Sequence, residues 1–133
     1  MEKEERLKEK YLQFQMIQQQ IEQITQHVEA LNQRNAEVDV SIEAITELGK
    51  TKKDTEILSP IANGIFVKAE LKDNAALIVN VGADTAVEKT ISEIVEILKQ
   101  QQQEIAENIV EAEKVFAMLQ EQAMNIYKEV EEE

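Results

Sequence analysis

The sequence predicts a mainly α-helical α+β protein, in which two long helices form an antiparallel coiled coil and are joined by two β-hairpins. Three observations predict this fold. Apolar residues recur at heptad spacing in both flanks of the 133-residue chain, and they alternate with polar residues along its middle. The three glycines and the single proline all lie in that middle part or at its edge. Heptad spacing is typical of coiled-coil helices and alternation is typical of strands.

The N-terminal segment, residues 1–49, is predicted to form the first coiled-coil helix. Its seam positions fall in two interleaved seven-residue series: Leu7, Phe14, Ile21, Val28, Asn35 and Ile42, and Ile17, Ile24, Leu31, Val38 and Ile45. These series occupy positions a and d of a heptad sustained over nearly six repeats. A helix from about Glu4 to Leu48 would be about 65 Å long. Gly49 is available to end it.

The C-terminal segment, residues 90–133, is predicted to form the second helix. It starts with a capping-box pattern in which Thr90 and Glu93 satisfy backbone donors of the first turn. Its seam positions are Ile91, Ile94, Leu98, Gln101 and Ile105, followed by Ile109, Ala112, Phe116, Leu119, Ala123, Ile126 and Val130. The four-residue step after Ile105 is a stutter, which locally unwinds a left-handed supercoil. If a faces d, Ile45 packs against Ile91.

The middle segment, residues 50–89, is predicted to form four strands in two hairpins. Asn63-Gly64 and Gly82-Ala83-Asp84 supply the turns, and Lys72-Asp73-Asn74 joins the two inner strands. Four short strands expose an apolar face that helices already paired with each other cannot cover. We therefore expect other subunits to cover it, and the residues expected to make this assembly surface are Ile65, Val67, Leu71, Leu77, Val79 and Val81.

The composition argues against several classes of function. Without cysteine and with His27 as its one histidine, the chain has no disulfide framework, zinc-finger cluster or two-histidine metal site. Gly49-Lys50-Thr51 resembles the end of a phosphate-binding loop, but Ala44 stands where that motif requires glycine. Paired glutamates are predicted to lie on open helix surface. We therefore expect no catalytic site, no metal and no cofactor.

Charge and hydropathy predict the surroundings of the protein. A net charge of −13 argues against a nucleic-acid partner, because phosphate binding requires clustered Lys and Arg. The longest apolar run, Ala75 to Val79, is far shorter than the roughly 20 residues of a membrane span. The first ten residues are too charged for the apolar part of a signal peptide. These features predict a cytoplasmic protein whose partners are other proteins.

Methionine and aromatic side chains concentrate at the helix ends furthest from the predicted hairpins. By the heptad count several of them point away from the seam, namely Tyr11, Leu12, Met16, Met118, Met124 and Tyr127. Flexible, polarizable methionines suit surfaces that accept many partners. With the neighbouring seam residues, these form a candidate binding surface that also includes Leu7, Phe14, Leu119, Ile126 and Val130. Packing of another folded helix is the alternative explanation.

The order of helix, paired hairpins and helix resembles the α-type subunits of the prefoldin (GimC) family. The most specific stretch is IVNVGADTAVEKT, residues 78–90, within a similar region from Gly64 to Lys99. Four strands rather than two distinguish α-type from β-type subunits. The resemblance implies a heterohexamer of two α-type and four β-type subunits, held together by β-barrels that the hairpins form. It also implies ATP-independent capture of unfolded or nascent proteins at the coiled-coil tips and their transfer to a group II chaperonin. A coiled-coil scaffold or adaptor that binds one dedicated partner is the alternative.

Overall fold

A computed structural model describes residues 2–132, which form two long helices and two hairpins in the predicted order. The elements are α1 (Glu2–Lys50), β1 (Glu56–Ala62), β2 (Ile65–Glu70), β3 (Ala76–Gly82), β4 (Thr85–Thr90) and α2 (Ile91–Glu132). The chain divides into two units. We call residues 37–102 the hairpin unit, and the residues up to Ala36 and from Gln103 onward the terminal unit. The predicted fold class is confirmed.

Burial along both helices follows the predicted heptads. Each predicted seam residue of α1 is half-buried or buried, and Val38 is the most deeply covered. In α2 the buried positions are Ile94, Ile105, Ala112, Leu119 and Ala123. The step in burial from Ile105 to Ile109 matches the predicted stutter. Val130 differs from the prediction, because 38% of its surface is exposed.

In the terminal unit the two helical segments run antiparallel. The Lys10 Nζ atom lies 3.1 Å from the Glu129 Oε2 atom. Further along α1, Thr25 and Val28 line one cavity together with Glu113 and Phe116. Later positions in α1 therefore contact earlier positions in α2, which shows that the two segments run in opposite directions. The segments are also held by the apolar seam, whose burial is the main favourable contribution to such packing.

In the hairpin unit the helices are also antiparallel, but the expected register is wrong by about one turn. A side chain added at Gly49 would place its Cβ 3.1 Å from the Ile91 Cδ1 atom. Nearer the middle of the helices, the Gln102 amide donates a hydrogen bond of 2.6 Å to the Asp39 carboxylate. The expectation had placed Ile45 level with Ile91. Gly49 explains the displacement, because the missing side chain lets Ile91 pack against the last turn of α1.

The C-terminal end of α1 is capped by a residue from outside the helix. Gly49 is predicted to be available to end the helix, but α1 continues through it to Lys50, and the φ of Gly49 is not positive. The Asn74 side-chain amide instead donates to the carbonyl oxygens of Leu48, Gly49 and Thr51 at 3.0, 3.2 and 2.9 Å. Helix ends leave their last carbonyls without intrahelical donors. Asn74 supplies those donors from the segment between the hairpins.

The two hairpins have the same geometry, displaced by 20 residues along the chain. In one, Glu56 pairs with Glu70, and in the other, Ala76 pairs with Thr90. The register shifts between Pro60 and Ala62 in β1 and at the equivalent place in β3, between Asn80 and Gly82. Each pair forms its own two-stranded antiparallel sheet. The prediction of two hairpins is therefore confirmed.

The two hairpin turns use left-handed backbone in different ways. Gly64 has φ +76°, which glycine adopts without a steric penalty. The second turn places Ala83 at φ +50° and Asp84 at φ +57°, as in a type I′ turn. Such turns match the twist of the flanking strands, but alanine is strained in this conformation. The second turn therefore carries backbone strain at Ala83, whereas the first turn avoids such strain by having glycine at its positive-φ position.

The predicted capping box at the start of α2 is present. The Glu93 backbone N–H donates to the Thr90 hydroxyl at 3.2 Å, and the Glu93 carboxylate accepts from the Thr90 hydroxyl at 3.0 Å and from its backbone N–H at 3.3 Å. The hydroxyl bond is the largest cause that lowers the pKa of Glu93 below its ordinary value. The backbone bond and the nearby Lys89 charge add to it. The box fixes where β4 passes into the helix.

Candidate functional site

Among the described residues of the terminal unit, eight large apolar side chains are exposed, and we call six of them, all predicted as binding residues that point away from the seam, the terminal apolar surface. They are Tyr11, Leu12, Met16, Met118, Met124 and Tyr127, each between 55% and 63% exposed. These are the residues that the heptad count directed away from the seam, because they occupy b, c, e and f positions. Their exposure costs hydration free energy unless something covers them. The structure thus places the predicted outward set at the surface.

The other predicted binding residues of the terminal unit are less accessible. Leu7, Phe14 and Ile126 are half-buried between the helices, and Val130 is exposed. Leu119 is 8% exposed, which makes it a core residue of the helix pair. A partner at the surface can therefore touch the edges of the half-buried side chains, whereas Leu119 stabilises the pairing of the helices.

Two grooves run along the helix pair of the terminal unit, one on each side of the seam. The first groove contains cavities of about 440, 620 and 240 Å³, lined from α1 by a, b and e positions. Its walls include Tyr11 and Phe14 from α1 with Met124 and Tyr127 from α2. Half-buried and exposed apolar side chains are therefore continuous along this groove.

The second groove contains cavities of about 470 and 510 Å³, lined from α1 by c, d and g positions. Met16 and Ile17 face Ile126 there, and Gln20 contributes to both cavities. His27 lines the second cavity beside Ile24, Val115 and Leu119, which agrees with its predicted g position. Both grooves combine apolar side chains with amides, so they suit contact with a chain that offers apolar side chains and backbone hydrogen-bonding groups.

The predicted assembly residues of the hairpin unit are exposed to different degrees. Ile65, Val67 and Val81 are exposed, and Leu77 and Val79 are half-buried. Leu71 is only 7% exposed. Its backbone also accepts from Asp54 N–H at 2.7 Å and donates to the Thr55 carbonyl at 2.9 Å, so it anchors the segment after α1.

Sequence reasoning missed four further exposed apolar residues of the hairpins: Leu58, Ile61, Phe66 and Ile78. Leu58 pairs with Lys68, which places it on the face opposite Val67. Ile78 has the equivalent position in the second hairpin and is 75% exposed. The 20-residue correspondence between the strands was the signal that could have found this pair. Each hairpin therefore exposes apolar side chains on both faces.

The described residues contain no helix that is long and apolar enough to cross a membrane. Isolated exposed apolar residues are ordinary, whereas groups of them mark interaction sites.

Comparisons with known proteins give a consistent result. A family model described as "Prefoldin subunit" matches residues 17–133. A "Prefoldin subunit alpha" from Pyrococcus horikoshii is 32% identical over 120 residues, covering 90% of this chain and 81% of the relative. Another from Thermofilum pendens is 30% identical over 103 residues, covering 77% and 78%. A cryo-EM structure of filamentous PFD from Methanocaldococcus jannaschii aligns with a TM-score of 0.78 at 16% identity, covering 86% of this chain and 95% of that one. The last comparison supports the fold alone.

Proposed function

The chain belongs to the prefoldin family of chaperone subunits, and on this basis we propose that it captures unfolded or nascent proteins through the terminal apolar surface. We propose further that it acts without ATP, in the cytoplasm, and passes these clients to a group II chaperonin. The family is not one of enzymes. The terminal unit supplies the working surface, and the hairpin unit supplies the contacts that assemble the complex.

The observation that carries this proposal is the set of exposed apolar side chains on the terminal unit. All four methionines of the sequence fall in its two terminal parts, and Met16, Met118 and Met124 are each more than half exposed. Methionine adapts its shape to irregular partners because it is unbranched and polarizable. Covering one such side chain contributes about 1 to 2 kcal/mol, so capture needs several of them acting together.

The hairpin unit supports a proposal about partners. We propose that two copies of this chain assemble with four β-type prefoldin subunits through the exposed faces of the hairpins. A two-stranded hairpin is marginally stable by itself and gains stability when further strands or apolar faces pack on it. The equivalent geometry of the two hairpins offers two similar docking positions on one chain. The exposed Leu58 and Ile78 supply apolar surface at equivalent points in them.

Aggregation assays on several unrelated proteins test the proposed function against the adaptor alternative. The complex of this chain with a β-type subunit is mixed with three chemically denatured proteins of different fold as each is diluted from denaturant, and light scattering is recorded. We expect the complex to suppress aggregation of all three without added ATP. Protection of one protein alone, or of none, would contradict capture of general unfolded chains.

A further inference from the structure

We infer that the terminal unit selects extended apolar segments flanked by lysine or arginine from among unfolded chains. This inference rests on the proposed function and specifies the class of client that the same surface prefers. It is carried by the distribution of charge around the grooves, by the chemistry of their walls and by their length.

Most of the exposed apolar side chains of the terminal unit belong to two stretches of sequence that contain no lysine or arginine. From Tyr11 to Gln33, α1 has no Lys or Arg in 23 residues, whereas Glu22 and Glu29 carry negative charge. From Val115 to Tyr127, α2 has no Lys or Arg in 13 residues, and Glu121 is its one charged side chain. All charges of the two segments at neutral pH are therefore negative. This negative charge attracts the basic side chains of a client and repels its acidic side chains.

The lysines nearest in sequence to these two segments lie just outside their ends. Lys10 is bonded to Glu129 at 3.1 Å. Lys114 and Lys128 share position f with Glu121 by the heptad count, but unlike Glu121 they are not among the residues that line the cavities described above. Lys8 lines the cavity at one end of the first groove together with Glu4. The central cavities of the first groove have Glu121 and Glu113 among their walls.

The rest of the groove walls consists of apolar and amide side chains. Phe14, Ile21 and Met124 line the cavity of about 620 Å³ with Gln18 and Gln120. An unfolded segment offers apolar side chains and unpaired backbone N–H and C=O groups. Glutamine can both donate to and accept from such groups. The amides therefore accommodate an extended backbone without requiring a particular sequence.

The length of the first groove sets the size of the segment. Tyr11 and Thr25 line its end and its inner part, and they are 14 residues apart on one helix. At about 1.5 Å per residue this distance is about 21 Å. An extended chain rises about 3.3 Å per residue, so about six client residues fit along it. Basic residues on either side of such a segment lie within reach of the groove glutamates.

Matched peptides test this selectivity on the assembled complex. Three labelled peptides share one apolar core of six residues and carry two lysines, two serines or two glutamates at each end, and binding is followed by fluorescence anisotropy. Because several weak exposed charge pairs act together, we expect the lysine peptide to bind roughly five- to tenfold more tightly than the glutamate peptide at low salt. High salt should reduce this ratio towards one. Equal affinities at low salt would overturn the inference but leave the proposed function intact.

Two variants of equal net charge assign the preference to the terminal unit. The first variant should lower the preference for the lysine peptide over the glutamate peptide by at least half. It changes four glutamates of the terminal unit together to Gln: Glu22, Glu29, Glu113 and Glu121. The control changes four exposed glutamates of the hairpin unit to Gln, Glu43, Glu47, Glu70 and Glu96, and should retain it. Equal losses in both variants would show a general charge effect and overturn the inference. Failure of all three peptides to bind the wild-type complex would contradict the proposed function as well.

Discussion

Asn74 shows how one side chain can join two elements. Its amide donates to three carbonyl oxygens at the end of α1, although it lies 23 residues or more along the chain from each of them. These carbonyls include groups that the helix itself leaves without donors. No local sequence pattern indicates this cap, because its partners are close in space rather than in sequence. The sequence predicts only a connecting loop at Asn74.

Replacing Asn74 tests the importance of this cap. Asn74→Ala should lower the free energy of unfolding by about 1 to 3 kcal/mol, since it removes the side-chain donor from the part-buried carbonyls of Leu48 and Thr51. Asn74→Asp keeps the shape of the side chain but removes its donors, so it should destabilise at least as much. Urea unfolding of the assembled complex, followed by circular dichroism, measures both variants. Asn74→Asp with wild-type stability would contradict a role for the amide donors.

Gly64 and Ala83, two of the turn residues with positive φ, give predictions of opposite sign. A Cβ at Gly64 would meet nothing within 4 Å, so Gly64→Ala tests backbone strain without a clash. We expect it to lower stability by about 1 kcal/mol. Ala83→Gly should relieve the strain at φ +50° and raise stability by up to about 1 kcal/mol. Thermal melts of both variants check these signs. Changes in the same direction would contradict the description of the two turns.

At the scale of the elements, the sequence predicted what depends on local periodicity. Each predicted seam residue of α1 is covered, and the capping box of Thr90 and Glu93 forms as expected. Both follow from spacings within a single helix. The predicted register of the two helices is wrong by about one turn, because the observed register depends on the close approach of Ile91 to Gly49. Heptad positions alone do not specify that approach.

The strand faces were predicted only in part, for a related reason. Apolar residues occur on both faces of β1, with Ile57 half-buried and Leu58 exposed. A simple alternating pattern therefore does not identify one inner face. The register shift after Pro60 also leaves Ile61 unpaired, which alternation does not anticipate. The pairing of the strands was needed before the exposed set could be recognised.

Charges placed on the strands test the proposed assembly surface. Changing Val67 and Val79 together to Asp should abolish the complex with β-type subunits, because a buried charge without a partner costs several kcal/mol. Changing Val40 and Ile97 together to Asp is the matched control, since these exposed aliphatic residues of the hairpin unit lie on the helices rather than on the strands. Native mass measurement gives the size of each complex. A variant of Val67 and Val79 that assembles at wild-type size would exclude this face from assembly.

At the scale of the whole molecule, the chain has different surface chemistry in its two units. The described part of the terminal unit exposes three methionines and two tyrosines besides Leu12, Val110 and Val130, whereas the hairpin unit exposes branched aliphatic side chains and Phe66. Flexible side chains suit changing partners, and branched ones fit a fixed complementary surface. This difference agrees with the proposed division between client capture and assembly. It also means that the two functions can be altered separately.

The measurement that tests the central claim most directly is aggregation suppression by a variant of the terminal apolar surface. The variant changes four residues together to Gln: Leu12, Met16, Met118 and Met124. Glutamine has a similar helix propensity to leucine and methionine, and all four positions lie off the seam. A control changes the exposed Val40 and Ile97 of the hairpin unit to Gln. Native mass measurement and circular dichroism establish assembly and helicity for both variants before the assay.

We expect both variants to assemble with β-type subunits and to keep wild-type helicity. The terminal variant should suppress aggregation of several unrelated proteins less effectively than wild type, with a partial loss because the β-type subunits retain their own surfaces. The control should protect as wild type does. A terminal variant that assembles normally and protects every protein as well as wild type would contradict client capture by this surface.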